Sequence, residues 1–173
     1  FTEYNGDRIG RITTAGVITE FSAGLTPGGR PESIARGPDG NLWFTESRGN
    51  RIGRITPGGV ITEFSAGLSA GASPAGITAG PDGNLWFTEY DGNRIGRITP
   101  AGVITEFGAG ISPGSRPLSI TAGRDGNLWF TEQTGNRIGR ITPAGVVTEF
   151  SAGISAGAYP FAIVPGPDGN IWF

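Results

Sequence analysis

Short apolar runs built from Ile, Val, Leu, Phe, Trp and Thr alternate along the whole chain with clusters of Gly, Pro, Asp and Asn. No window sustains the 3.6-residue period of an amphipathic helix, and β-branched and aromatic residues fill the space between turns, so the pattern predicts an all-β chain. The segment from Ile34 shows the unit. Strands are expected at Ile34–Arg36, Asn41–Glu46, Arg51–Thr56 and Val60–Ser65. Asp39-Gly40 joins the first two as a two-residue hairpin loop, which requires positive φ at both central positions. Ser47-Arg48-Gly49-Asn50 joins the next pair. Pro57-Gly58-Gly59 joins the last, with Pro presetting φ and Gly relieving the turn. Leu42 and Phe44 should point to one face of their strand and Trp43 and Thr45 to the other, a sheet apolar on both sides. Glu63 stands in mid-run on the fourth strand, as do Glu20, Glu106 and Glu149, with Arg54 expected across from it.

The unit repeats every 43 residues. Gly37-Pro38-Asp39-Gly40-Asn41-Leu42-Trp43-Phe44-Thr45-Glu46 recurs from Gly80, again from Gly123 with Arg124 in place of Pro, and in shortened form from Gly166 to Phe173. Four strands in a period of 40 to 45 residues predict a β-propeller of four-stranded antiparallel blades. The chain is expected to be one repeat domain, 1–173, with phases 1–43, 44–86, 87–129 and 130–172. It holds four blades' worth of sequence, and one blade is split. Residues 1–22 carry its third and fourth strands and residues 161–173 its first and second, giving a two-plus-two closing blade. Closure within one chain gives a four-bladed monomer; reciprocal closure between two chains gives an eight-bladed homodimer. The segment entering the first strand alternates between Pro27-Gly28-Gly29-Arg30 or Pro113-Gly114-Ser115-Arg116 and Ala70-Gly71-Ala72-Ser73 or Ala156-Gly157-Ala158-Tyr159. A pair of blades is thus the underlying unit. The ring should be even, and the bulk of the strand residues favours eight blades.

Composition refines this picture in a few places. Glycine (32) and proline (13) would suggest low complexity without a period, but here they fall at fixed phases and read as turns. The net charge of −2 gives no basic footprint for nucleic acid. No apolar run reaches the length of a membrane helix. There is no Cys, hence no disulfide, and no His. All basic residues are Arg, and the first residue is not Met, which suggests a bias of source or design and a trimmed start.

Pro-x-x-Ile, the Gly-Pro-Asp-Gly-Asn-Leu-Trp-Phe-Thr-Glu run and the following Gly-Asn-Arg-Ile-Gly-Arg-Ile-Thr-Pro together resemble the repeats of the virginiamycin B (streptogramin B) lyases. The resemblance covers the whole chain. It implies a propeller, usually of seven blades, that opens the lactone of a cyclic depsipeptide antibiotic by elimination with a divalent cation such as Mg²⁺. It implies catalytic histidines just after the Pro that starts the first strand, and a metal-binding Glu at the end of Trp-Phe-Thr-Glu. The Glu position is matched by Glu3, Glu46, Glu89 and Glu132. The His position holds Glu32, Ala75, Leu118 and Phe161 instead. Elimination needs a base with a pKa near the working pH, which imidazole offers and these residues do not. The lyase reaction is expected to be absent.

The four Glu residues, if they converge, would attract a hard cation. Equally, each could pair with the Arg five residues on, Glu46 with Arg51 and Glu89 with Arg94, and their presence in every copy favours that structural role. A site needs asymmetry, so positions that differ between copies carry more information. They gather in the loop into strand one (Arg30, Ser73, Arg116, Tyr159, then Glu32, Ala75, Leu118, Phe161) and the loop after strand two (Tyr4, Ser47, Arg48, Tyr90, Asp91, Gln133, Thr134). These loops should share one propeller face. There Arg30, Glu32, Arg116, Tyr159 and Tyr90 would offer a mixed polar and aromatic surface for an anionic or peptide ligand, or an undedicated solvent surface. Trp43, Trp86, Trp129 and Trp172 read as interblade packing, and Asp39, Asp82, Asp125 and Asp168 as turn residues. The first reading of function is therefore a non-catalytic scaffold, a fragment or engineered derivative of a lyase-like repeat protein that partners itself. An active Mg²⁺-dependent lyase and a ligand-binding propeller are the alternatives.

Overall fold

The computed structural model describes residues 1–173 and consists of strands and turns only. Three four-stranded antiparallel blades follow one another: β4–β7 (Pro31–Arg36, Leu42–Glu46, Arg51–Ile55, Ile61–Phe64), β8–β11 (Pro74–Ala79, Leu85–Glu89, Arg94–Ile98, Ile104–Phe107) and β12–β15 (Pro117–Ala122, Leu128–Glu132, Arg137–Ile141, Val147–Phe150). They are flanked by β1–β3 (Thr2–Glu3, Arg8–Ile12, Ile18–Phe21) at one end and β16–β17 (Val164–Pro165, Ile171–Trp172) at the other. These two parts of the split blade form separate sheets, so the clasp is not closed within the chain.

The strand boundaries of the repeat shift modestly from expectation. The first strand starts at Pro31, with a register irregularity between Pro31 and Ile34. The Asp39-Gly40 loop is wider than a two-residue hairpin. Only Gly40 has positive φ, and Gly37 N–H donates to Asn41 C=O at 2.8 Å to close it. Asp39 stays out of the left-handed region because its side chain is engaged with Asn41 and with Trp43 Nε1 (3.1 Å). In the next blade Asp82 repeats the arrangement with Asn84 and Trp86 (3.0 Å). Burial opposes ionisation of Asp82, but these donors hold its carboxyl below the usual range. Asp82→Ala leaves a buried indole N–H unpaired. It should lower stability by about 1 to 2 kcal/mol, read as a shift in the urea midpoint.

Blade-on-blade packing makes the core. One cluster joins Trp43 and Ile52 of one blade to Leu85, Phe87, Ile98 and Ile104 of the next. The indoles of Trp43 and Trp86 are fully buried and stack on Phe64 and Phe107 at ring separations of 5.4 and 5.3 Å. Interblade packing is thus their role. Arg54 does not face Glu63, whose cross-strand partner is Gly53. It lies over Trp43 and Phe64 and donates to Pro100 C=O of the next blade (3.2 Å). Glu63 is not a bare edge charge either. It accepts from Thr26 N–H and Thr26 Oγ1 at 2.5 and 2.7 Å, stapling the loop that enters its blade, and Glu106 and Glu149 hold Ser69 and Ser112 in the same way.

Candidate functional site

The turn after each second strand ends in a residue in the left-handed conformation, Asn50, Asn93 and Asn136, with Asp7 at the same phase. Asn tolerates that conformation better than other side chains. Its side chain then reaches the next blade's entry loop. Asn50 Oδ1 accepts from Ser73 N–H and Asn93 Oδ1 from Arg116 N–H, both at 3.1 Å, while Asp7 accepts from Arg30 N–H at 2.9 Å. Those entry residues, Arg30, Ser73, Arg116 and Tyr159, are themselves held at φ between 48 and 56°. Non-glycine residues in that region cost free energy, and such positions gather at binding sites. Sequence reasoning did not single out these asparagines, although their recurrence at one phase was the available signal.

The entry loops and the turns after strand two open onto one cavity of about 520 Å³. All four positions where histidine was sought, Glu32, Ala75, Leu118 and Phe161, line it, one from each successive blade. Arg30 and Tyr90 line it as well, beside Tyr4, Arg48, Asp91 and Gln133. The copy-to-copy differences therefore do fall on one face. Arg30 lies over the Tyr4 ring at 5.1 Å and Arg116 over Tyr90 at 5.2 Å, so each guanidinium is oriented by an aromatic face. Tyr90 Oη donates to Gln133 Oε1 (2.8 Å), and Ser73 Oγ to Asp91 (2.7 Å). Arg116 does not line the cavity; it lies behind Tyr90, over that ring. Tyr159 stays outside its lining, exposed to solvent.

The Glu series lies elsewhere. Glu46, Glu89 and Glu132 are completely buried at the ends of β5, β9 and β13, and neither oxygen of any of them has a hydrogen-bond partner. Each is packed within its own blade. Glu46 Oε2 lies under the close approach of Gly29 and Gly49, where the Gly49 N–H donates to Gly29 C=O at 2.9 Å. The expected Glu–Arg pairing is only partial. Arg94 stands 4.0 Å from Glu89, yet it is also 3.8 Å from Glu106, while Arg51 and Arg137 pair with Glu63 (3.5 Å) and Glu149 (3.6 Å). The arginines lie nearer the outer glutamates, which are partly exposed, whereas the inner ones are completely buried. Burial, reinforced by the nearby Glu63 and Glu106 carboxylates and opposed by Arg51 and Arg94, pushes Glu46 and Glu89 up to about 8. Burial likewise raises Glu132 to about 7.

These residues do not fit a resident Mg²⁺. No three acidic side chains come together as a ligand set, Glu3, Glu46, Glu89 and Glu132 included. A small, hard cation demands several oxygen ligands in near-octahedral array, whereas each inner glutamate has at most one further carboxylate near it. No helix is long and apolar enough to cross a membrane.

The model of the virginiamycin B lyase family matches residues 68–173. A virginiamycin B lyase from Staphylococcus aureus is 48% identical, with a TM-score of 0.87 over 95% of this chain and 55% of that one. A streptogramin B lyase structure is 45% identical, with a TM-score of 0.90 over 98% of this chain and 56% of its own. A catalytically inactive form of the Staphylococcus aureus enzyme with quinupristin superposes equally well, at 48% identity and a TM-score of 0.87 over the same shares of the two chains. The chain thus spans about half the length of the lyases it matches. No curated protein matches it by sequence.

Proposed function

Because the chain belongs to the virginiamycin B lyase family, we propose that it is a non-catalytic propeller scaffold that keeps the family's ring face without its reaction. One observation carries this reading. The four positions where the family's motif places histidine surround a single cavity and present a carboxylate, a methyl, an isobutyl group and a phenyl ring. Lactone elimination needs a base for the proton beside the carbonyl and an acid for the departing carboxylate. The inner glutamates titrate near neutrality, yet they are sealed under the entry loops and have no route to a substrate in the cavity. The protein would operate without a metal, since the donor set for one is not assembled.

The guanidinium–tyrosine pairs favour a second role for the same face, the binding of an anionic or peptide ligand. Arg30, oriented by Tyr4 and lining the cavity with apolar Leu118 and Phe161, and Arg116 stacked behind the lining Tyr90, suit a carboxylate-bearing peptide with an apolar side chain.

Incubation with Mg²⁺ and a cyclic depsipeptide lactone such as quinupristin is the test. Mass spectrometry should find the lactone intact, and millimolar Mg²⁺ should leave the melting temperature unchanged. Any linearised product would overturn the reading. The binding role predicts that Arg30→Ala with Arg116→Ala weakens retention of a carboxylate-bearing cyclic peptide at least tenfold without lowering the melting temperature.

A further inference from the structure

The positions that line the cavity share a backbone device beneath their differing side chains. In each complete blade the first strand carries one residue more than its partner can match. Pro31 pairs with Glu46 and Ile34 with Phe44, so Glu32 and Ser33 together stand opposite Thr45. Ala75 and Gly76 stand opposite Thr88 in the next blade, and Leu118 and Ser119 opposite Thr131 in the one after. A bulge of this kind bends its strand and re-aims a side chain, and bulges gather beside functional sites. Here the bulged residues Glu32, Ala75 and Leu118 line the cavity.

A bulge also takes a peptide group out of the ladder, and a threonine supplies what the ladder no longer does. Thr45 Oγ1 accepts from Ser33 N–H at 3.1 Å, Thr88 Oγ1 from Gly76 N–H at 2.9 Å and Thr131 Oγ1 from Ser119 N–H at 3.0 Å. Each hydroxyl then donates across the blade junction. Thr45 reaches Ala75 C=O (2.6 Å), Thr88 reaches Leu118 C=O (2.8 Å) and Thr131 reaches Phe161 C=O (3.2 Å). Thr2 donates to Glu32 C=O in the same way, at 2.9 Å. The carbonyl that accepts from one blade and the N–H that donates in the next step belong to one peptide group, Glu32–Ser33, Ala75–Gly76 or Leu118–Ser119. Hydroxyl and peptide therefore alternate in an unbroken chain of hydrogen bonds through the backbone of the cavity-lining residues. Such chains polarise their members and strengthen cooperatively. Thr45, Thr88 and Thr131 are completely buried.

We infer that Thr45, Thr88 and Thr131 are positioning residues of this face: each fixes, from the blade before, the residue that the next blade presents to the cavity. The hold is on backbone atoms, so it is indifferent to the side chain it carries. That is why a carboxylate, a methyl, an isobutyl group and a phenyl ring can occupy one repeat position in turn. The specificity of the face then lies in those four side chains, and the threonines set where they stand. Valine copies the shape of threonine without its hydroxyl, whereas serine keeps the hydroxyl, so the two substitutions separate packing from positioning.

Thiol labelling tests this, because the chain has no Cys of its own. Ala75→Cys puts a reporter at a cavity residue that is 3% exposed, and Leu118→Cys puts one a blade further on. Thr45→Val leaves Ala75 C=O and Ser33 N–H without their partners. It should raise the iodoacetamide labelling rate of Ala75→Cys by about fivefold or more, and leave that of Leu118→Cys, which Thr88 holds, within about twofold. Thr45→Ser should keep both rates within about twofold of the parent reporters. Equal rates in Thr45→Val and Thr45→Ser would overturn the inference, as would a rise at both reporters, the mark of general loosening. If Thr45→Val does not fold, proton NMR of the wild type decides. The Thr45 hydroxyl should exchange about a hundredfold more slowly than an exposed one and give its own resonance; loss of that resonance in the water signal would sink the assignment. No ligand enters these assays, so their outcome is independent of whether the face binds a peptide.

Discussion

Gly96→Ala is expected to destabilise the protein by about 3 kcal/mol. Gly96 lies across from Phe87 in the β9–β10 pair, and the phenyl ring covers its Cα so closely that an added β carbon would fall inside the ring. The ring has nowhere to go. Phe87 is fully buried and packed among Trp43, Ile77, Ile98 and Ile104 of the interblade cluster. Packing at crystal-like density converts one methyl group into displaced side chains on two blades. Guanidinium unfolding would measure the loss. Gly58→Ala is the control, because its β carbon would meet only Thr56 Oγ1 at 3.7 Å, and it should be nearly neutral. Phe87→Ala by itself should cost about 3 to 5 kcal/mol through the cavity it leaves. In that background the Gly96→Ala cost should largely disappear, a coupling that identifies the ring as its cause. Equal costs of Gly96→Ala in both backgrounds would refute the assignment.

Stability should fall as pH rises from about 5 to about 8. Glu46, Glu89 and Glu132 titrate near 4.5 when unfolded but near 8, 8 and 7 when buried in the fold. The native state therefore binds more protons than the unfolded chain across that window. Their full contribution is present below pH 4.5 and is lost as pH climbs through the folded values. For Glu89 the loss is on the order of 3 kcal/mol. Glu149 and the turn aspartates act in the opposite sense, since hydrogen bonds hold them below their ordinary values against the effect of burial. Their stabilisation is lost only in stronger acid, which places the optimum near pH 4 to 5. Urea midpoints between pH 4 and 9 would trace the decline. Glu89→Gln removes a carboxyl that must ionise while fully buried, so it should raise the midpoint at pH 8 and flatten the profile. Equal midpoints for the wild type at pH 5 and pH 8 would rule this account out.

The repeat made the blades readable because every copy states the same alternation and the same turns. Errors clustered where a side chain had two possible partners. Arg54 was expected beside Glu63, but cross-strand register put Gly53 there, and the guanidinium gained more by lying on Trp43 and Phe64. Asp39 was given a positive φ that its bonds to Asn41 and Trp43 exclude. The candidate face was legible through its variability. Arg30, Glu32 and Tyr90 line one cavity, with Arg116 stacked behind Tyr90. The recurrence of the glutamates at one phase favoured a role within each blade, and Glu46, Glu89 and Glu132 each lie buried at the end of their own blade's second strand.

The sequence by itself determined the blade, its strand order, the family and the absence of imidazole at four matched positions. Those follow from local propensity and from a 43-residue period that the chain states repeatedly. Only the tertiary structure decided that the four positions share a cavity, that the inner glutamates are sealed without hydrogen-bond partners, and that β1–β3 and β16–β17 form separate sheets. Each of these depends on the angle between neighbouring blades. That angle is set by side chains packing across blades, and no period within one blade encodes it.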